Sequence, residues 1–168
     1  MKTPLWIPSE YRVRNSNMNA FMTYVGQITG KSFTNYEDLY EWSFSDIKEF
    51  WKFIWVISGI IHSQPFTSIL NNKSMSDSKW FEGAKLNFAE NLLKYRDSHT
   101  AIISARENYP NINTSYKELY ELVSSVAGSL KKMGVKKGDR VAGFITNIPE
   151  AVIAMLAAAS IGRYSTAW

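Results

Sequence analysis

Between Thr100 and Gly162 short apolar runs alternate with long amphipathic stretches, and this order limits the fold more than any other feature of the chain. Thr100 to Ala105 is an apolar run suited to a buried strand. Ser115 and Glu118 form an S-x-x-E capping box, behind which Leu119, Tyr120, Val123, Val126, Ala127, Leu130 and Met133 recur at helical spacing. Gly134 is expected just past the end of that helix, after Lys131 and Lys132, where the helix dipole favours cations. Lys136-Lys137-Gly138-Asp139 reads as a turn and Arg140 to Ile145 as a strand. A final helix runs from Pro149 to Gly162, with Asn147 as its cap. Strand, helix, strand, helix predicts an α/β fold with parallel pairing through right-handed crossovers. The last helix is apolar almost all round, from Val152 to Ala159, as expected of a helix buried on more than one side. A further strand should follow Gly162, but only six residues remain and Arg163 does not suit the start of a buried parallel strand. The chain is therefore expected to be incomplete as a folding unit.

The first half has a different composition. Two-thirds of the aromatic residues lie at or before Phe81, and every alanine except Ala20 lies after it. Ser16 is a predicted N-cap for a helix carrying Met18, Phe21, Met22 and Val25 that Gly30 ends. Asn35 is expected to cap a short helix through Leu39, Tyr40 and Trp42. Ser45 is read as the start of a third, with Asp46 in its first turn and Ile47, Phe50, Trp51, Ile54 and Trp55 on one face. Pro65 and the Asn71-Asn72-Lys73-Ser74 cluster bound a short strand from Phe66 to Leu70. Asn87 with Glu90 resembles a capping box ahead of Leu92 and Leu93. The division expected is an aromatic-rich helical wrapping segment over residues 1–98 and the start of an α/β domain over 99–168.

Residue chemistry excludes several functions. The chain has no cysteine, so disulfides, thiolate nucleophiles and Cys-based metal centres are absent. The two histidines, His62 and His99, share no helix face and have no Ser and Asp beside them in a nucleophile context. Lys and Arg exceed Asp and Glu by 19 to 15, a net +4, which is too weak and too dispersed for a nucleic-acid binder. Lys131, Lys132, Lys136, Lys137 and Arg140 read first as a solvated helix end and turn, with attraction of a phosphate-bearing ligand as the sharper alternative. Glu37, Asp38 and Glu41 read as a solvated helix face rather than an acid–base pair. Trp51 and Trp55 read as core, with a membrane surface as the alternative. The longest early apolar run, Phe53 to Ile61, falls well short of the ~20 residues of a membrane span. No secretory signal is seen, and the expected location is cytoplasmic. The glycines form neither a G-x-x-x-x-G-K-[ST] nor a G-x-G-x-x-G loop, so no phosphate cradle can be placed.

Seven stretches taken together resemble the amino-terminal region of acetoacetyl-CoA synthetases, in the adenylate-forming acyl-CoA ligase superfamily. They are PLWIPS (Pro4 to Ser9), SNMNAFM (Ser16 to Met22), LYEWS (Leu39 to Ser43), Phe50-Trp51, KWFEGAKLNFAENLL (Lys79 to Leu93), GVKKGDRV (Gly134 to Val141) and NIPEAVIAMLAAASIG (Asn147 to Gly162). The resemblance implies an ATP-dependent ligase that adenylates acetoacetate with release of pyrophosphate and then lets coenzyme A displace AMP, with magnesium screening the triphosphate. The family's phosphate loop, adenine and ribose segments, hinge and catalytic lysine all lie beyond Gly162 in the family order. The resemblance therefore assigns no catalytic, cofactor-binding or metal residue to this sequence. Trp80, Asn87, Glu90, Gly138, Asp139, Asn147 and Pro149 match as anchors, caps and turns. After Gly162 the sequence RYSTAW departs from the family pattern. The expectation is the N-terminal part of such a ligase, inactive and binding no ATP, CoA or Mg2+ alone, with acetoacetate a substrate only of the complete enzyme. A non-catalytic module that docks onto a separately made remainder is the alternative. No nucleic-acid partner and no transmembrane segment are expected.

Overall fold

The computed structural model describes residues 5–71, 76–162 and 164–167. They fall into two units, Met1–Ile60 with Phe66–Gly83, and Ile61–Pro65 with Ala84–Trp168.

The first unit starts with four helices: α1 (Glu10–Arg14), α2 (Asn17–Thr29), α3 (Tyr36–Ser45) and α4 (Ile47–Ile57). Local side chains set their starts. Ser16 Oγ accepts the Asn19 N–H at 3.1 Å and Asn35 Oδ1 accepts the Asp38 N–H at 2.9 Å, each satisfying a donor that helix geometry leaves free. α2 ends at Gly30, in the left-handed region (φ 72°) that a side chain would strain. Phe21, Val25, Leu39, Trp42 and Phe53 form the buried core. The rings of Phe21 and Phe50 meet edge-on, as do those of Trp42 and Phe50. Strands β1 (Ser68–Leu70) and β2 (Trp80–Glu82) pair antiparallel, Ser68 opposite Glu82 and Leu70 opposite Trp80.

Two expectations change here. Ser45 is the last residue of α3, and Asp46 is the cap of α4, its Oδ1 accepting the Glu49 N–H at 3.4 Å. A carboxylate at that position also complements the positive end of the helix dipole. The strand expected from Phe66 narrows to Ser68–Leu70, because Pro65 and the ring packing of Phe66 against Trp55 hold the chain short of the ladder. Of the breaker cluster, Asn72, Lys73 and Ser74 lie outside the described residues.

The second unit comprises α5 (Phe88–Leu92), the hairpin β3 (Thr100–Arg106) and β4 (Tyr109–Ser115), α6 (Tyr116–Lys132), β5 (Arg140–Gly143), α7 (Pro149–Ser160) and β6 (Tyr164–Ala167). Ser115 and Glu118 close the predicted box in both directions: Ser115 Oγ accepts the Glu118 N–H at 3.2 Å, and Glu118 Oε2 accepts the Ser115 N–H at 2.8 Å. These bonds, the Ser115 N–H foremost and then its hydroxyl, hold the Glu118 carboxyl below the ordinary glutamate range. At the other end of α6 the Gly134 N–H donates to the Lys131 carbonyl (3.0 Å) and the Val135 N–H to the Leu130 carbonyl (3.1 Å), the bond pair of a Schellman ending. Gly134 sits at φ 86° to make that turn. Ala89, Leu93, Leu119, Val123, Ala127, Ile153, Leu156 and Ala157 form the core where α5, α6 and α7 meet.

Asn87 fixes that meeting. Its Oδ1 accepts the Glu90 N–H at 3.1 Å and caps α5, while its Nδ2 donates to the carbonyls of Ala159 (3.0 Å) and Ser160 (3.2 Å) at the end of α7. Next along, Asn91 Nδ2 donates to the Ile61 carbonyl and its Oδ1 accepts the Ile61 N–H, both at 2.9 Å. Together with the Ser63 N–H donating to the Lys85 carbonyl at 2.8 Å, these bonds bring residues 61–65 into this unit.

The α/β class stands, with a different pairing. Thr100 to Ala105 lies in β3, which pairs antiparallel with β4 and is mostly exposed. The expected parallel partnership of this strand with 140–145 is not found among the described residues; the parallel pair is β5 with β6, joined through α7. The strand missing from the sequence reading is therefore present, in register from Arg140 opposite Tyr164 to Gly143 opposite Ala167. Arg163 lies outside the described residues. The cap of α7 is Ile148, not Asn147; its aliphatic side chain has no acceptor to offer, and Pro149 at the first helical position removes one of the amides that would otherwise be left free.

Two measurements follow from these bonds. Asn87→Ala should lower the unfolding free energy in urea by about 2 kcal/mol, from one lost cap and two carbonyls left short of a donor. Asn87→Asp keeps the cap acceptor but turns a carboxylate toward those carbonyls, and should be no more stable than the alanine variant. For Glu118, a depressed folded pKa contributes stability above the unfolded pKa that disappears as pH falls through the folded value. The stability gap between the wild type and Glu118→Gln should therefore be full at neutral pH and close in acid, read by urea unfolding across pH.

Candidate functional site

Of the titratable residues singled out by sequence, Asp38 and His99 have structural partners. Asp38 Oδ2 accepts the Thr34 hydroxyl at 2.6 Å and the Thr34 N–H at 2.7 Å. The hydroxyl, then the backbone bond, holds its carboxyl below the usual aspartate range. An acid held ionised at a helix start locks the turn and is a poor proton donor. Glu37 and Glu41 are exposed on the same helix. His99 is exposed, with Nδ1 3.0 Å from Asp97 Oδ1. The His99 N–H and then its ring depress the Asp97 carboxyl, while the Asp97 and His99 carbonyls accept the N–H groups of Lys117 and Tyr116. This network ties the turn to the start of α6. His62 is exposed in the segment that pairs toward Lys85.

Lys131, Lys132, Lys136, Lys137 and Arg140 are all exposed along a helix end and turn, the bland reading of that cluster. Asp139 Oδ2 accepts the Lys136 N–H at 2.7 Å, the Asp139 N–H donates back to the Lys136 carbonyl at 3.1 Å and Gly138 takes φ 97°, so this turn is closed by its own residues. Trp51 and Trp55 pack on the β1–β2 hairpin: Trp51 meets Trp80 edge-on at 5.4 Å, and Trp55 lies 4.7 Å from Phe81 and 5.3 Å from Phe66. Among the described residues no group of three His, Asp or Glu side chains could hold a metal ion.

The second unit carries two open grooves of similar size, one of about 460 Å³ between β4 and α6 and one of about 470 Å³ lined by Asn87, Glu90, Arg96, Tyr120, Lys131 and Ser160, among others. The Arg96 guanidinium lies 3.8 Å from the centre of the Tyr120 ring, a cation–π contact. Ser160 donates its hydroxyl to the Ala157 carbonyl at 2.7 Å. The groove offers charge and hydrogen bonds but no described base bonded to a nucleophile. Sequence reasoning placed Asn87 here as a cap only. Its second bond pair, and the part played by Asn91, join residues far apart in sequence and have no local signal.

Comparison with known proteins accounts for this distribution. Residues 88–166 match the family model for "AMP-binding enzyme", and residues 36–92 match "Acetyl-coenzyme A synthetase N-terminus". Acetoacetyl-CoA synthetase of Macaca fascicularis is 41% identical over 162 residues, covering 94% of this chain and 24% of the relative. The Rhizobium meliloti (strain 1021) protein is 36% identical over 159 residues, covering 95% and 24%. The solved structure of acetoacetyl-CoA synthetase from Streptomyces lividans superposes with a TM-score of 0.87 at 31% identity, covering 99% of this chain and 26% of that one. The chain thus spans about a quarter of the length of the curated relatives it matches. In sequence and in fold it is similar to the N-terminal part of the acetoacetyl-CoA synthetases, matching that part of their adenylate-forming fold.

Proposed function

We propose that this chain supplies the N-terminal part of an ATP-dependent acetoacetate–CoA ligase and does not catalyse the reaction alone. The observation that carries this reading is the span of the match, 94% of this chain against 24% of a synthetase 41% identical to it. In the whole reaction a carboxylate oxygen of acetoacetate attacks the α-phosphorus of ATP and pyrophosphate leaves. The coenzyme A thiolate then attacks the acyl carbon and AMP leaves, giving acetoacetyl-CoA. The residues described here do not fit a nucleotide or magnesium site: they offer no cluster of metal ligands and the sequence has no glycine-rich phosphate loop. ATP, coenzyme A and Mg2+ are therefore assigned to the rest of the ligase. The aromatic-rich first unit acts as its wrapping segment and the stretch from residue 88 onward as the opening of its AMP-binding domain, in the cytoplasm. No helix among the described residues is long and apolar enough to cross a membrane.

A second role rests on the two-stranded parallel sheet, which is too small to be finished by itself: the chain complements a separately made remainder of the ligase. Purified chain given acetoacetate, ATP, Mg2+ and coenzyme A should release no pyrophosphate above the blank. Release that depends on both acetoacetate and coenzyme A would sink the inactivity claim. Adding a polypeptide with the remaining three-quarters of a synthetase should produce a complex, and its absence would remove the complementing role.

A further inference from the structure

The groove of about 470 Å³ beside α5 and α6 carries features that helix packing does not require. Its size is in the range of small-molecule sites. Buried Leu93, Val123 and Ala127 line it, and Tyr120, Ser124, Gly128 and Lys131 follow one another along a single face of α6. The Arg96 guanidinium lies 3.8 Å from the centre of the Tyr120 ring. Stacking of this kind covers a face of the planar guanidinium and leaves its N–H edge, which matches the two oxygens of a carboxylate or phosphate. Among the described residues none accepts a hydrogen bond from Arg96, from the Tyr120 hydroxyl or from the Ser124 hydroxyl, and no carboxylate pairs with Arg96. Two cations, Arg96 and Lys131, line the groove against one carboxylate, Glu90, so its lining is net positive.

Gly128 is an independent sign. Glycine inside a helix costs about 1 kcal/mol relative to alanine. Gly26 of α2 is needed for packing, because a Cβ there would lie 2.9 Å from the Lys31 carbonyl oxygen, whereas a Cβ at Gly128 would meet no atom within 4 Å. The missing side chain at Gly128 therefore serves no contact among the described residues and leaves room in the groove. Gly128 is two helical turns, about 12 Å, from Tyr120.

We propose that this groove binds a small organic oxyanion, a carboxylate or a phosphate monoester on an unbranched apolar body, with the head on Arg96 and the body laid along α6 to Gly128. Unused donors and net positive charge select the anionic head, and the buried aliphatic lining and the space at Gly128 select the body. The site lies outside the ligase reading and stands or falls independently of it.

Octanoate and octyl phosphate are the probes, titrated into the purified chain and followed in proton–nitrogen correlation spectra. At least one should give saturable shifts at the amides of Arg96, Tyr120, Ser124 and Gly128, and the tighter of the two identifies the head group. Octanol and acetate, each lacking one half of the ligand, should bind about tenfold or more weakly. Arg96→Gln should weaken the probe by about the same factor. Gly128→Leu should do so with a melting temperature no lower than that of the wild type, because leucine favours the helix and its Cβ meets no atom. Lys132→Gln, outside the groove lining, should leave the affinity within about twofold. Saturation by neither probe would overturn the site. Binding that octanol matches, or that either Arg96→Gln or Gly128→Leu leaves untouched, would overturn it as well.

Discussion

A single carboxamide sets the second unit in place. Asn87 uses its oxygen to start α5 and its nitrogen to bond the last carbonyls of α7, so the beginning of one helix and the end of another are held by one side chain. A helix of five residues is too short to persist by its own propensity, and α5 exists because it is capped and packed. Once Asn87 holds it, Ala89 and Leu93 are carried into contact with Leu119, Val123 and Ala127 of α6 and with Ile153, Leu156 and Ala157 of α7. The small residues at that junction matter. Ala89, Ala157 and Ala158 are fully buried, and methyl side chains let the three helices approach closely without voids. Asn91, one helical turn on, extends the same device to Ile61 and draws a short segment from earlier in the chain into the unit.

What sequence made legible is what local chemistry decides. The caps at Ser16, Asn35 and Ser115 and the endings at Gly30 and Gly134 lie where the residue types placed them, because each bond spans only a few residues. The hairpin partners were not legible. Tyr109–Ser115 contains Pro110, Asn111 and Asn113, which read as turn residues, and only the pairing with β3 makes them a strand. A signal was present in Asn108, which takes φ 62° in the two-residue connection after Arg106, a position where asparagine is favoured. β6 was missed for another reason. The sequence reading took the chain to stop before this strand, whereas Tyr164–Ala167 pairs with β5 in register.

The candidate site shows the same division. Asp38, Asp97 and His99, which invited chemical readings, close turns and start helices, and the carboxyls of Asp38, Asp97 and Glu118 are held below their ordinary range by donors two to four residues away. Perturbed acidity of this kind belongs to loop geometry, in contrast to the burial and paired charges that tune a catalytic group. The functional assignment comes from the kinship of the whole stretch with the first quarter of a synthetase, which no single residue carries.

The order in which the chain visits its two units has a topological meaning. It leaves the first after Ile60, enters the second for Ile61–Pro65, returns for Phe66–Gly83, and crosses again at Ala84. Neither unit is a continuous stretch of polypeptide, and no single backbone cut divides the chain into the two. A recombination or domain-swapping event with one breakpoint would carry part of each unit into a foreign context. The constraint on where this region can be cut is then a property of its threading alone.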